Sequence, residues 1–224
     1  MELVAFATSY DNQRPNQAKS RTHMKSRILF ASAMILALTG AAFAQAKTFK
    51  VGAGNATQQL AQVQSDTEFE AFSGRTDKVT GTISFDPTKR TGSATIKVDV
   101  ASIDTGLALR NDHMKDKGWL DAAAHPAITF VTTKIQHVSG DRYRVTGKFT
   151  MKGVTKTITV NATVKHIKES KATQDARFKG DVLQVRTSFD INLKDYNVTI
   201  PAQAKGKVAE TVKISLTVYG QTGA

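Results

Sequence analysis

The chain of 224 residues contains no cysteine. No disulfide can form, so the core must stabilise the fold unaided. No cysteine is available to carry a lipid anchor either. Proline is scarce, with four residues, and aromatics make up 7%. Neither value points to disorder or to a fibrous repeat. The apolar run at 28–38 is too short for a transmembrane helix, against the roughly 20 apolar residues that a bilayer needs. Enzyme signatures are missing as well. There is no Gly-x-Ser-x-Gly, no His-Glu-x-x-His and no Gly-x-x-x-x-Gly-Lys. That removes the motif routes to a nucleophilic hydrolase, a zinc protease and a phosphate-binding loop. Acid is the scarcer charge: 19 Asp and Glu stand against 31 Lys and Arg, a formal +12.

What is present begins at position 24. Met24-Lys25-Ser26-Arg27 is a basic head and 28–38 is the apolar run. Thr39-Gly40 breaks it, and Ala42-Phe43-Ala44-Gln45-Ala46 offers overlapping Ala-x-Ala sites. Basic, apolar and small-residue regions in that order read as a secretory signal peptide over 24–46. Cleavage is expected before Gln45 or Lys47, which places the mature chain in the periplasm or outside the cell. Residues 1–23 are polar and without periodicity. They read either as lying upstream of a start at Met24 or as a disordered n-region, and both readings exclude them from the fold. An exported chain does not meet nucleic acid, ATP or cytosolic metabolites.

Residues 1–46 hold five basic and two acidic side chains, so about +9 of the +12 stays with the mature chain. On an exported protein that charge suits anionic lipid head groups, a membrane surface or acidic polysaccharide. It also suits a merely solvated surface.

From about position 68 the chain alternates with period two, the signature of strands with one buried face. Strands are expected over 68–73, 79–85, 94–100, 128–138, 142–151, 157–165, 183–191 and 212–218. Their apolar positions include Ile83, Phe85, Ile96, Val98, Val100, Phe130 and Val145. Phe149, Val160, Ala162, Val185, Phe189, Ile214 and Leu216 continue the set. Turn residues at Asp86-Pro87-Thr88 and Ser139-Gly140-Asp141, and a tight turn over Met151-Lys152-Gly153-Val154-Thr155, separate neighbours that would pair antiparallel. About eight strands with little helix to cover them form a sandwich or close as a barrel. An eight-stranded barrel is either filled by side chains or holds one small ligand. Gly81, Ala94, Gly147, Ala162 and Thr187 are small inward candidates. They make room for a cavity, or they sit opposite large residues in a packed core.

The segment 107–124 breaks the alternation and reads as one or two short helices between strands. Leu109, Arg110, His113, Met114, Trp119 and Leu120 become candidates for a rim, a lid or a plug at one barrel end.

Three segments carry a family resemblance. The first is Ser102-Ile103-Asp104-Thr105, followed by Arg110-Asn111-Asp112-His113-Met114. The second is Trp119-Leu120-Asp121-Ala122, then His125-Pro126-Ala127-Ile128-Thr129-Phe130. The third runs Val145-Thr146-Gly147-Lys148-Phe149-Thr150-Met151-Lys152-Gly153-Val154-Thr155-Lys156. Their order and spacing resemble the YceI-like family from about Ser65 onward. The resemblance implies an all-β fold, an eight-stranded antiparallel lipocalin-like barrel over 65–224, with 47–64 as an N-terminal lead-in. It also implies an elongated apolar cavity for a long isoprenoid or similar lipid, lined by the inward residues named above. Two departures stand out. The family opens its first barrel strand with histidine, and 65–74 here has none. The family's Tyr before proline is His125.

Asp104, Arg110, Asp112 and His113 form the strongest enzymatic constellation, alone or with His125 as metal ligands. Neighbours in sequence point in different directions, however, so a hydrogen-bonded scaffold is the expected role. No catalysis, cofactor or metal is expected. The expected function is an exported carrier for a long apolar lipid, for transport, storage or shielding. The alternative is an envelope interaction module with a packed core, using its basic surface on anionic membranes or polysaccharide.

Overall fold

Alternating side chains bury one face of each strand, and a sheet of such strands hides that face by closing on itself. The protein does so in a computed structural model that describes residues 45–53 and 58–223. The expected basic head and apolar run lie outside the described residues. The described residues belong to one compact unit, Ala42–Ala224. Its strands are β1 (Lys47–Val51), β2 (Leu60–Asp66), β3 (Ala71–Thr76), β4 (Val79–Asp86) and β5 (Thr91–Asp99). They continue with β6 (Ala127–Ser139), β7 (Arg142–Met151), β8 (Val154–Ile167), β9 (Val182–Asn192) and β10 (Thr211–Gln221). The two α-helices are short: α1 (Ala108–Lys115) lies between β5 and β6, and α2 (Lys171–Asp175) between β8 and β9.

All pairings between these strands are antiparallel, and the register shows how the barrel closes. One edge of β10 pairs with β9 along its whole length. The other edge meets β1 at Gly220 and Gln221, and β2 at 213–217. β1 pairs with β4, and β2 with β3. So β1 and β2 together fill one barrel position, β3 and β4 the next, and eight positions close the ring. Gly52, at φ +73°, ends β1 and starts the break between its two halves. A side chain there would meet the Val79 carbonyl, because an added Cβ would lie 2.5 Å from it.

The sheet therefore starts earlier than the alternation suggests. Residues 47–64, read as a lead-in, supply β1 and most of β2. The strand expected at 68–73 is β3, shifted to Ala71–Thr76. Thr67 ends β2 instead: its hydroxyl accepts the Glu70 N–H at 3.0 Å and makes 67–70 a turn. Elsewhere the pattern holds. In β7, Tyr143, Val145, Gly147, Phe149 and Met151 are buried while Arg142, Arg144 and Lys148 are exposed. Lys152 and Gly153 both take positive φ, the requirement of a two-residue hairpin loop whose twist matches its strands.

The end of the barrel that holds Lys47 is tied shut by Asp181. Its carboxylate accepts Lys47 Nζ at 2.6 Å, His166 Nε2 at 2.9 Å and the Glu169 N–H at 3.0 Å. Asp181 N–H donates to Thr222 Oγ1 at 3.0 Å. The first strand, the end of β8 and the C-terminal segment thus meet at one residue. The Lys47 ammonium, chiefly, holds the carboxyl down at about 2, below the ordinary 3.8. A depressed carboxyl stabilises the fold above pH 3.8 and loses that contribution as pH falls towards 2. Allowing for solvent screening, the loss is about 1 kcal/mol. Thermal unfolding between pH 6 and pH 2 should show this extra acid sensitivity in the native protein and not in Asp181→Asn. Parallel acid profiles for the two would refute it.

Candidate functional site

Two clusters of buried side chains occupy the interior. One gathers Phe49, Val51, Ile83, Phe85, Tyr143, Leu183 and Val218 near the tied end. The other gathers Phe149, Met151, Ile191, Leu193, Tyr196 and Val212 near the end that carries α1. Phe149 packs edge-on against both Phe189 and Tyr196, with ring centroids 5.7 and 5.4 Å apart. Phe130, Ile158 and Phe189 touch both clusters. A cavity of about 540 Å³ is walled by residues from both clusters. That lies within the roughly 300–1,000 Å³ of small-molecule sites. Open space thus remains between the two clusters.

The large inward residues expected from the strands face this cavity, with one exception. Val100 does not. The strand ends at Asp99, whose carboxylate accepts the Ala101 N–H at 3.0 Å and starts a 3-10 turn. Val100 is buried there, its N–H bonded to the Pro126 carbonyl at 3.0 Å. Among the small residues, Ala94, Ala162 and Thr187 line the cavity. Gly147 gives room to a neighbour instead: an added Cβ would sit 2.4 Å from Phe130 Cζ. Gly81 is likewise covered, since a Cβ there would lie 2.2 Å from the Thr95 carbonyl oxygen. Thr132 turns a hydroxyl inward beside a β-bulge, and this buried Oγ1 has no partner among the described residues.

The mouth lies where the 67–70 turn, the 100–126 insertion and the 193–210 segment meet. All six rim candidates line it: Leu109, Arg110, His113, Met114, Trp119 and Leu120. Trp119 and Leu120 also pack on the nearby core cluster, so the insertion is both plug and rim. Arg110 pairs with Glu70, and its guanidinium lies 4.1 Å over the Phe72 ring. Sequence reasoning missed Ala61, Val63, Ser65, Phe72, Leu193 and Val208, which also line the space.

The acid-and-histidine constellation comes apart. Asp104 accepts the Gly106 N–H at 2.8 Å and Asn111 Nδ2 at 2.6 Å, and these bonds hold its carboxyl below the usual range. Backbone bonds to Arg75 fasten it to β3. Asp112 faces Lys115 at 3.3 Å. His125 sits over the hairpin loop, with its ring against Gly153. Asp104 and His125 thus tie the insertion to the barrel, while the Asp112 pair stays within α1. No cluster of three metal-ligating side chains occurs among the described residues.

Residues 54–219 match the YceI-like domain. The chain belongs to the YceI-like family. A UPF0312 protein of Yersinia pestis (strain Pestoides F) is 32% identical over 127 residues, 56% of this chain and 60% of that protein. The chain thus spans less than two thirds of that relative's length. A UPF0312 protein of Vibrio parahaemolyticus is 30% identical over 60% of this chain and 71% of its own length. The crystal structure of Burkholderia cenocepacia BcnA superposes with a TM-score of 0.61 at 30% identity, over 72% of this chain and 95% of that one. The Campylobacter jejuni YceI protein, at 19% identity and a TM-score of 0.56, covers 65% of this chain and 82% of its own, and shares the fold. This YceI-like chain is therefore a closed antiparallel barrel, as its alternation suggests.

Proposed function

We propose that the chain is an exported carrier that holds one long apolar lipid of isoprenoid type in its barrel, for transport, storage or shielding. The observation that carries this reading is the 540 Å³ cavity walled by aliphatic and phenylalanine side chains from both core clusters. Family membership and the barrel are consistent with binding of apolar ligands. Each buried methylene contributes roughly 0.8 kcal/mol. About 20 carbons removed from water gain about 16 kcal/mol gross, against an association cost of about 4–15 kcal/mol. A long chain is therefore retained where a short one escapes. Arg110, His113, Gln203 and Lys207 line the mouth, so a ligand's polar end can stay near water. The basic head, apolar run and Ala-x-Ala sites at 24–46 support export to the periplasm.

Native mass spectrometry of protein recovered from the periplasm of its own host tests both parts. The expected species is a chain beginning at Gln45 or Lys47 with a single lipid bound. A chain that keeps 28–38 would defeat export. Uniformly empty protein that takes up no added polyprenyl lipid would defeat the carrier.

A further inference from the structure

Between Asp121 and Glu169 the chain carries one acid, Asp141, and eight Lys or Arg. That segment builds three neighbouring strands, β6, β7 and β8, and none of the three contains an acid. Alternation sends their polar side chains out of the barrel. Lys134 on β6, Arg144 and Lys148 on β7 and Lys165 on β8 are all exposed. None of these four has an ion-pair partner among the described residues. Cations off these strands do, as Lys47 meets Asp181 and Lys171 meets Asp175, and on β8 itself Lys156 meets Asp195 at the end away from Lys165.

The rest of this face is hydroxyl and amide. Arg144 stands between Gln136 and Asn161, and Lys148 between Val131 and Thr157. Thr146 and Thr159 bond through their hydroxyls at 2.9 Å, and Thr150 and Thr155 at 2.8 Å. Thr163 extends the row along β8. The large exposed apolar side chains on these strands are two valines, Val131 and Val138.

We infer that the outer face of β6–β8 is a docking face for an acidic polysaccharide. Unpaired cations of one sign attract a polyanion. Threonine, asparagine and glutamine can donate to and accept from sugar hydroxyls. A bilayer is the poorer match, because interfacial binding relies on Trp, Phe and Leu anchors that this face lacks. Arg142, Arg144 and Lys148 lie along β7, where each second residue advances about 6.8 Å. A linear polymer can follow that line.

The test uses the mature barrel and polygalacturonate, with neutral dextran as a control, by sedimentation or calorimetry at several salt concentrations. Polygalacturonate is expected to bind and dextran not. Binding should weaken as salt rises. The variant Lys134→Gln/Arg144→Gln/Lys148→Gln should lose about tenfold in affinity. Its thermal midpoint and its retained lipid should not change, since all three side chains are exposed and face away from the cavity. Lys50→Gln/Lys205→Gln/Lys213→Gln removes the same charge elsewhere and should bind like the native chain. Equal losses in the two variants would mean that net charge alone acts, and would overturn the assignment. So would failure to bind polygalacturonate, whether or not vesicles of phosphatidylglycerol and phosphatidylcholine are bound.

Discussion

Phe49→Ala is expected to cost about 3–5 kcal/mol of stability, the range for truncating a buried phenylalanine. Domains of this size are stable by only about 5–15 kcal/mol, so much of the fold's margin goes with one ring. The reason is the place of Phe49 in the closure. β1 joins β10 through only Lys50–Gln221 and Val51–Gly220. Phe49 is fully buried beside that seam, opposite Ile83 of β4 and edge-on to His166 at 5.9 Å. Gly220 has no side chain where the ring's stem passes, since an added Cβ would lie 2.8 Å from Phe49 Cβ. The glycine and the phenylalanine are a fitted pair. Urea unfolding of lipid-free protein measures the loss. Lys50→Ala, exposed on the same strand, should stay within about 0.5 kcal/mol of native. A Phe49→Ala protein as stable as that control would show that β1 does not hold the barrel closed.

The strands that were legible in the sequence are those whose inward residues are large. In β7 and β8, valine, isoleucine, phenylalanine and tyrosine alternate with threonine, lysine and arginine, and the period is plain. In β2 the inward residues are Ala61, Val63 and Ser65, set between glutamines. The period is there, but its hydrophobic contrast is weak. β1 is five residues long, too short for a period to show. Val100 continues the β5 alternation on paper, and only the Asp99 cap takes it out of the wall. Gly147 and Gly81 could not be placed from sequence, because a glycine that admits a neighbour's ring reads the same as one that leaves a void. Phe130 decides the matter at Gly147. Residues from 193–210 reach the cavity through irregular backbone, where no period exists to follow. The mouth was legible through its motifs, because Arg110, His113 and Trp119 sit in segments that resemble the family's. The lipid was not, because aliphatic walls select for length and girth and carry few polar marks.

Ala162→Phe should separate a carrier from a packed barrel. Ala162 is buried on β8 between Tyr143 of β7 and Thr187 of β9, and its methyl faces the cavity. In a close-packed core an added ring forces neighbours off their rotamers and costs about 1–3 kcal/mol or more. Here the ring enters open space, so lipid-free protein should unfold within about 1 kcal/mol of native. Binding should suffer instead. If the ring displaces about four methylenes of lipid, at about 0.8 kcal/mol each, affinity falls on the order of a hundredfold. Thr163→Phe, one residue on and exposed on the outer face, should leave uptake unchanged. Thermal unfolding of delipidated protein and titration with a fluorescent prenyl lipid read the two quantities separately. Strong destabilisation by Ala162→Phe, in a native chain that never takes up the lipid, would mean that the space is closed in solution. Lost uptake with stability kept is the result that a lipid-filled barrel requires, because only there do the ring and the ligand compete for the same volume.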